Sequence, residues 1–351
     1  MIRRSILKLI GLFLVTPVLV GQDYKLVWSD DFEDNTLNTA VWQYEVHGEG
    51  GGNNELQYYT DRSDNLEVKD GILTIIARKE QYLGKEYTSA RINTRGKLAF
   101  QYGKIEARMK MPYGQGLWPA LWMLGNSYSS VGWPDCGEID IMEMIGGEGK
   151  DNTIHSTLHW GPLVDGGHPN YGQSYTLTEG IFADDFHIIE TEWTENYVKT
   201  YCDGELFFTI DISASGLEAF HDPFFLIINL AVGGNWPGSP DATTVFPQNF
   251  QIDYIRLYQT DEMILVDSPA EEYSNDLAIA YPNPFYDSII ISASKPVSEI
   301  EILDYAGRIL LANKCDGSIQ NQVLTHNLPS GMYMCKIIFE DMNAEIVKIV
   351  K

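Results

Sequence analysis

Three carboxylates stand in the short segment 137–143, Gly-Glu-Ile-Asp-Ile-Met-Glu, with apolar residues between them. Successive side chains of a β-strand point to opposite faces, so Glu138 and Asp140 share one face and the isoleucines share the other. Glu143 has the wrong parity unless the strand contains a one-residue β-bulge near Met142. A bulge adds one residue, re-aims the side chains that follow, and is over-represented beside active sites. We therefore predict a bulged strand that presents all three acids in one row.

A row of acids on a concave surface suits the hydrolysis of glycosidic bonds. Four strand steps separate Glu138 from Glu143 by roughly 13 Å, and side chains that lean together close much of that gap. Retaining hydrolysis requires a nucleophile and a general acid about 5–5.5 Å apart. Asp140 between them raises the pKa of its neighbours, which helps to keep one glutamate protonated. A solvated strand face is the alternative, but three like charges in a row repel one another and the segment contains no basic residue.

Further motifs accompany the acids. Gly-Trp-Pro-Asp-Cys-Gly precedes them at 132–137, and others are Asn-Asn-Glu-Leu-Gln-Tyr-Tyr at 53–59, Trp-Pro-Ala-Leu-Trp-Met at 118–123, His-Trp-Gly at 159–161 and Asn-Leu-Ala-Val-Gly-Gly-Asn-Trp-Pro at 229–237. Together with Glu-Ile-Asp-Ile-Met-Glu, this set resembles glycoside hydrolase family 16 in its laminarinase-type form. The resemblance implies that Glu138 is the nucleophile and that Glu143 is the general acid and base.

Tryptophans are suited to bind a sugar chain, because the apolar faces of sugar rings stack on aromatic rings. All eight tryptophans lie between Trp28 and Trp236. Trp28, Trp42 and Trp193 are better explained as core residues. The candidates for substrate stacking stand around the acidic segment: Trp118, Trp122, Trp133 and Trp236.

Three polar residues join the candidate binding site through the resemblance. His159 matches the active-site histidine of the family, and a structural histidine is the alternative. Asn53 and Arg91 occupy positions where the family has sugar-binding polar residues. Taken alone, an ordinary turn or surface residue explains either of them as well.

A structural calcium site is also implied by the resemblance. Family members often bind this ion through an early acid, a glycine carbonyl and an acid in the last strand, and Glu33, Gly71 and Asp253 fit these positions. Hard oxygen ligands of this kind suit calcium. Catalysis by carboxylates needs no cofactor.

The four cysteines are too few for a disulfide scaffold and too scattered for a zinc site. We expect Cys136 to be a buried structural thiol. Cys315 and Cys335 are either bridged or free.

The ends and the charge of the chain indicate where it acts. Residues 1–21 have the pattern of a secretory signal, with two arginines at 3–4 and an apolar stretch from 6 to 20. An uncleaved membrane anchor is the alternative, but the apolar stretch is shorter than the roughly 20 residues that span a bilayer. The net charge of −25 disfavours nucleic acid, anionic membranes and highly sulfated polysaccharides, which call for a basic surface.

The region 22–262 is predicted to be an all-β catalytic domain. Short strand-like runs such as 72–78, 103–110 and 197–201 alternate with Gly, Pro, Asn and Asp, and no long segment has helical periodicity. This pattern predicts a β-sandwich or barrel. The resemblance selects a jelly-roll β-sandwich with a concave substrate cleft.

A composition change after about residue 260 predicts a linker at 263–278 and a small second β-domain at 279–351. Tyr-Pro-Asn-Pro at 281–284, Asp-Tyr-Ala-Gly-Arg at 304–308, Leu-Pro-Ser-Gly-Met-Tyr at 328–333 and the terminal Val-Lys-Ile-Val-Lys resemble the C-terminal sorting domain of type IX secretion. The resemblance implies recognition by an export machinery. A small carbohydrate-binding sandwich is the alternative, but this region has no tryptophan to stack on sugars.

These observations predict a secreted or cell-surface-attached, monomeric retaining endo-β-1,3-glucanase that acts on a neutral β-glucan such as laminarin. The enzyme alternatives are a mixed-linkage β-1,3-1,4-glucanase and the agarase or carrageenase branches of the same family. A non-catalytic glucan-binding protein on the same fold is the alternative from another class. Such a protein would not need all three carboxylates.

Overall fold

The computed structural model describes residues 23–266, 278–281, 288–293, 295–303, 308–329, 331–341 and 343–351. The predicted signal segment 1–21 and most of the predicted linker lie outside these ranges. The chain divides into two compact units, Met1–Asp267 and Ser268–Lys351. Within the described residues, helices of the length and apolarity required to span a bilayer are absent.

The described part of the first unit is almost entirely β-structure, which confirms the predicted fold class. Its strands are β1 (Lys25–Asp30), β2 (Gln43–Tyr44), β3 (Gln57–Tyr59), β4 (Leu66–Lys69), β5 (Ile72–Tyr82), β6 (Lys85–Ser89), β7 (Arg91–Asn93), β8 (Gly103–Lys110), β9 (Leu117–Gly125), β10 (Glu138–Glu143), β11 (Thr153–His159), β12 (Asn170–Thr176), β13 (His187–Trp193), β14 (Tyr197–Cys202), β15 (Glu205–Asp211), β16 (Phe224–Val232) and β17 (Gln248–Gln259). Three short helical segments interrupt or follow them: α1 (Tyr128–Val131), a 3₁₀ turn (Glu218–His221) and α2 (Asp261–Val266).

Two sheets of the first unit pack face to face as a sandwich. One has the strand order β15-β14-β13-β8-β17-β5-β6-β3, with β1 beside β17 and β4 beside β5, and the other has the order β12-β11-β10-β9-β16-β7-β2. One large cluster of buried apolar side chains draws residues from both sheets. The face of the seven-stranded sheet that points away from this core is therefore available to form a site.

Side-chain alternation explains how the strands build these two sheets. In β8, Ile105, Ala107 and Met109 are buried while the residues between them are partly exposed. The apolar strand β16 is instead buried along its whole length: one face lies in the core, and on the cleft face Phe225 and Ile227 pack in a small cluster with Trp122. Trp42 and Trp193 are completely buried, which confirms their prediction as core residues.

The second unit has a separate apolar core. Its strands are β18 (Ala278–Tyr281), β19 (Ser288–Ala293), β20 (Val297–Leu303), β21 (Ile309–Lys314), β22 (Gln320–Leu324), β23 (Met332–Phe339) and β24 (Ala344–Val350). They form the sheets β18-β19-β22 and β21-β20-β23-β24. Cys315 and Cys335 are free rather than bridged.

The end of the first unit differs from the predicted domain boundary at residue 262. Helix α2 continues to Val266, and Met263 is buried in the core of the first unit with 8% exposure. The first four residues of the predicted linker are therefore helical, and Met263 packs in the core.

Candidate active site

Strand β10 contains a β-bulge directly after Asp140. In the ladder with β9, Asp140 pairs with Trp122 and Met142 pairs with the adjacent Leu121, so Ile141 is the additional residue. Ile141 and Met142 are both completely buried in the core. Glu143 consequently returns to the face of Asp140, which confirms the predicted bulge.

Ser156 lies on β11 opposite the bulge, between the residues that pair with Asp140 and Glu143. Its hydroxyl donates a hydrogen bond to the Asp140 carbonyl oxygen at 2.7 Å. It also lies 3.0 Å from the Thr200 hydroxyl, which lies 3.0 Å from that of Thr191. All three hydroxyl residues are completely buried. This row of hydroxyl groups supplies a hydrogen bond to a carbonyl oxygen at the point where the bulge disturbs the ladder. The hydrogen bond thereby stabilises the bulge.

The outer face of the seven-stranded sheet lines a cleft of about 990 Å³. All three carboxylates lie in it, and so do all the residues predicted to bind substrate, namely Asn53, Arg91, Trp118, Trp122, Trp133, His159 and Trp236. Residues outside the predicted set also line the cleft, among them Glu45, Glu55, Asn93, Tyr128, Thr157, His168 and Asn229.

Each of the two glutamates accepts a hydrogen bond from a tryptophan indole. Trp133 Nε1 donates to Glu138 Oε2 at 3.1 Å, and Trp118 Nε1 donates to Glu143 Oε1 at 2.9 Å. His159 pairs with Glu138 across the β10–β11 ladder, and its Nε2 lies 3.9 Å from Glu138 Oε1. The glutamates are therefore held in defined orientations before any substrate arrives.

Burial and mutual repulsion raise the pKa values of the three carboxylates. Burial raises the pKa of Asp140 to about 8. Burial, with the charge of Asp140, raises the pKa of Glu143 to about 8 and holds that of Glu138 well above its ordinary value. The row therefore retains at least one proton at neutral pH and titrates as a unit.

Asp140 is the member of the row best placed to hold a proton. Only 3% of this residue is exposed, and its Oδ2 has no aligned hydrogen-bond donor among the described residues. His159 Nε2 lies 3.2 Å from that oxygen, but outside hydrogen-bond alignment. A buried oxygen without a donor favours the neutral acid. Each glutamate, in contrast, has an indole N–H that stabilises its ionised form.

Arg91 and Trp122 form a preassembled wall of the cleft. The Arg91 guanidinium carbon lies 4.8 Å from the centre of the Trp122 ring, and Arg91 Nε lies 2.8 Å from Glu45 Oε2. Burial opposes the charge of Glu45, but hydrogen bonding with His47 and the charge of Arg91 lower its pKa to about 2. The Arg91 charge is thus neutralised within the cleft.

Two tryptophans present exposed aromatic surface at the cleft. Trp133 is 40% exposed and Trp236 is 41% exposed. Trp236 packs edge-on against Trp118 and His155, with ring centres 5.5 and 5.0 Å apart. Exposed rings fixed by neighbours suit stacking against sugars, because little side-chain freedom is lost on binding.

A glycine-rich turn, residues 50–52, positions Asn53 at the cleft edge. Asn53 N donates to Gly50 O at 2.9 Å, and Asn53 O accepts from Asn235 N at 2.8 Å, beside Trp236. Gly51 has a φ of +56°, and a β-carbon there would come within 2.4 Å of Glu55 Oε1. Glycine is therefore required in this turn.

The residues of the implied calcium site lie outside the cleft. A β-carbon on Gly71 would contact Glu33 Oε1 at 3.2 Å, so the Glu33 carboxylate lies against the Gly71 backbone. Asp253 directly follows Ile252, which pairs with Leu73 near the start of β5. Arg108 Nη1 donates to Asp253 Oδ2 at 2.6 Å, which leaves the second oxygen of this carboxylate available.

Several cleft residues were not among the predicted site residues. Thr157 lies two residues before His159 on β11, so strand parity is a signal that finds it, and the same parity puts His155 against Trp236. Glu45 and His168 lie outside every quoted motif, and only the tertiary structure brings them to the cleft.

Comparison with known proteins assigns both units. Residues 53–256 match glycosyl hydrolases family 16, and residues 279–351 match a secretion system C-terminal sorting domain. A beta-glucanase of Rhodothermus marinus is 41% identical over 251 residues, covering 67% of this chain and 85% of that protein. The laminarinase catalytic domain from Thermotoga maritima MSB8 shares 48% identity, covers 68% of this chain and 99% of its own, and superposes with a TM-score of 0.63.

A third relative shows that a region similar to the first unit also occurs within a larger protein. The clotting factor G alpha subunit of Tachypleus tridentatus is 40% identical over 240 residues, which cover 67% of this chain but 34% of that protein. The C-terminal match confirms the predicted sorting domain and indicates a protein that is secreted or attached to the cell surface. The chain belongs to glycosyl hydrolase family 16 and is a glycoside hydrolase.

Proposed function

We propose that this protein is a retaining endo-β-1,3-glucanase that cleaves internal bonds of a neutral β-glucan such as laminarin. The observation that carries the proposal is the bulged strand β10, which presents Glu138, Asp140 and Glu143 on the cleft face of the sheet. The relatives named as beta-glucanase and laminarinase support the substrate class.

The extent of the cleft supports internal cleavage. Its lining residues come from six neighbouring strands, from β2 to β11. At about 4.8 Å between strands, these strands span roughly 24 Å across the sheet. The acids lie on β10, so the span extends about 19 Å to the β2 side of the row and about 5 Å to the β11 side, which leaves room for several sugar units on the β2 side.

The reaction proceeds in two steps. Glu138 attacks the anomeric carbon while Glu143 donates its proton to the departing glycosidic oxygen, which leaves a glycosyl ester on Glu138. Glu143 then takes a proton from water, and the resulting hydroxide attacks the same carbon and releases Glu138. Trp133 holds the nucleophile in place, and neutral Asp140 avoids a second negative charge beside it.

The charge of the cleft supports a neutral glycan over a sulfated one. Arg91 is engaged by Glu45, and Arg95 lies over the Tyr128 ring and donates to Ser129. Both arginines of the cleft lining thus have protein partners, and the whole chain carries a net charge of −25. A sulfated chain would meet repulsion instead of a basic surface.

Product analysis on laminarin, lichenan and agarose, side by side, tests the proposal. We expect oligosaccharides of intermediate length from laminarin, and proton NMR at early times should show the β-anomer at the new reducing end. A preference for lichenan would indicate a mixed-linkage enzyme, and release of the α-anomer would exclude retention. Glu138→Gln should abolish turnover and keep glucan binding. If no variant or substrate showed hydrolysis while laminarin still bound, a glucan-binding protein would replace the proposal.

We also propose a structural calcium ion held by Glu33, the Gly71 carbonyl and Asp253. The donor set consists of hard oxygens, as calcium prefers, and Arg108 competes for one oxygen of Asp253. The ion would stabilise the fold without entering the reaction. Calcium should raise the Tm of the native protein but not that of Glu33→Gln.

We further propose that the protein is a monomer. Light scattering on the native protein tests this proposal.

A further inference from the structure

His168 reaches the active site from a tight hairpin loop, residues 160–169, between β11 and β12. Val164 and Gly167 close the turn with reciprocal backbone hydrogen bonds of 2.8 and 3.0 Å, and Trp160 N donates to Pro169 O at 3.2 Å. Asn170 Nδ2 adds a hydrogen bond to the His168 carbonyl at 3.3 Å. The backbone of His168 is therefore fixed on both sides.

The His168 ring contacts both side chains that flank Glu138. His168 Nε2 lies 2.8 Å from His159 Nδ1. Its ring also packs edge-on against Trp133, with ring centres 4.6 Å apart. Trp133 donates to Glu138 Oε2, while His159 Nε2 lies 3.9 Å from Glu138 Oε1. A single loop residue thus touches the neighbours of both carboxylate oxygens of Glu138.

The 2.8 Å contact between two imidazole nitrogens requires one proton between them. If His168 Nε2 carries it, His159 Nδ1 is the acceptor and the proton of neutral His159 stays on Nε2, which faces Asp140 and Glu138. If His159 Nδ1 carries it, Nε2 of a neutral ring turns a lone pair toward those carboxylates. The first arrangement is electrostatically favoured whenever either carboxylate is ionised.

We infer that His168 is a positioning residue, which donates its Nε2 hydrogen to His159 Nδ1 and so fixes the His159 tautomer whose Nε2–H faces Asp140 and Glu138. A hydrogen bond to one ring nitrogen generally decides the role of the other. The inference rests on the proposed function for its consequence in catalysis. The assignment of the His159 tautomer itself depends only on the geometry of the two rings and the carboxylates.

Acidic groups surround the pair formed by His159 and His168. Glu138 and Asp140 face His159 from β10, and Asp135 packs against Gly161 of the loop. Burial and the neighbouring His159 lower the pKa of His168, so His168 is neutral at neutral pH. The Nε2–H of neutral His159 turns a partial positive charge toward Glu138, which favours the ionised carboxylate. Loss of an ordered His159 should therefore raise the pKa of the nucleophile.

Two substitutions distinguish the hydrogen bond that His168 donates from the packing of its ring against Trp133. His168→Phe keeps a ring against Trp133 but removes the donor, and His168→Gln keeps an N–H at a similar reach. We expect His168→Phe to lower kcat/KM on laminarin by about 10- to 100-fold, the range seen for hydrogen-bond partners that orient metal-ligating histidines. The acidic limb of its pH profile should move to higher pH. The kcat/KM of His168→Gln should remain within about threefold of the native value. Leu163→Ala, at an exposed position of the same loop, should have the native kcat/KM.

The tautomer is measured independently of activity by ¹⁵N NMR of the histidine rings, with His159 assigned by comparison with His159→Gln. The native protein should show His159 protonated at Nε2 only, and His168→Phe should show a mixture of tautomers. Native kinetics in His168→Phe, equal impairment of the two His168 variants, or a native His159 protonated at Nδ1 only would each overturn the inference. If the native enzyme lacked activity on laminarin, the proposed function would fail and the NMR result alone would decide.

Discussion

Trp118 donates its indole N–H to Glu143 Oε1 at 2.9 Å, from a strand adjacent to that of the acid. Burial and the charge of Asp140 raise the pKa of Glu143 to about 8, and the indole hydrogen bond opposes them. A general acid is most effective when its pKa lies near the working pH. Trp118 therefore helps to set the upper pH limit of activity.

Trp118→Phe should shift the alkaline limb of the kcat profile to higher pH. The substitution removes a donor that stabilises ionised Glu143, so the acid keeps its proton at higher pH. Trp122→Phe is the matched control, because the Trp122 indole donates to Asn229 Oδ1 rather than to a carboxylate. Both variants should raise KM through lost stacking. An alkaline limb that moves equally in the two variants would contradict the assignment.

Glu143→Ala should spare an activated aryl glucoside far more than laminarin. A good leaving group departs without protonation, whereas a sugar alkoxide does not. Added azide should raise the rate of this variant and give the β-glycosyl azide, since a small anion attacks the intermediate without a general base. Recovery of the α-azide would show that the roles of Glu138 and Glu143 are reversed.

Deletion of Met142 should abolish hydrolysis, because removal of one residue turns Glu143 away from the cleft. Met142→Leu keeps the bulge and nearly the same volume, so it should cost less than about 1.5 kcal/mol of stability and remain active. Circular dichroism and laminarin hydrolysis, measured on both, provide the comparison. A folded deletion variant with native activity would show that the bulge is not required.

The stability of Glu143→Gln relative to the native protein should increase with pH. A carboxyl whose pKa is raised in the folded state adds stability below its unfolded pKa of about 4.3, and that stability is lost as the pH rises through the folded pKa near 8. The difference in Tm should therefore grow between pH 5 and pH 8, by about 2–4 °C for each kcal/mol. Glu67→Gln, at an exposed position of β4, should show no such trend in a thermal scan.

Truncation after Val266 should leave hydrolysis of soluble laminarin and the Tm of the first unit unchanged, because we propose that the second unit serves export only. Truncation after Glu262 also removes buried Met263. It should lower that Tm, since loss of a buried methionine side chain costs about 2–5 kcal/mol. A large loss of rate in the longer, folded fragment would argue against a pure sorting role.

Strand parity was enough to predict the arrangement of the acids and tryptophans. The positions of Glu138, Asp140 and Glu143 within six residues specify both the shared face and the bulge, because side-chain facing repeats every two residues. The same rule puts Trp118 and Trp122, which are four residues apart on β9, on one face, and both line the cleft.

The partners of these residues were not predictable in this way. Glu45 forms an ion pair with Arg91, which is distant in sequence. Ser156 forms a hydrogen bond with Thr200 of the opposite sheet. Neither pair has a local pattern, because such contacts depend on how the sheets pack. The first unit continues past residue 262 because Met263, the first of four consecutive apolar residues, packs in its core, and only the tertiary structure shows this contact.

The two indole hydrogen bonds make the intrinsic tryptophan fluorescence sensitive to the state of the active-site glutamates. Tryptophan emission responds to the charge and protonation of a hydrogen-bonded neighbour, and Trp118 and Trp133 each contact a different glutamate. A fluorescence titration should therefore follow the ionisation of the two glutamates without substrate. Trp118→Phe and Trp133→Phe would isolate the two signals from those of the remaining tryptophans. Esterification of the Glu138 carboxylate would then appear as a change in Trp133 emission, which makes the covalent intermediate visible in stopped-flow experiments without a labelled glycan.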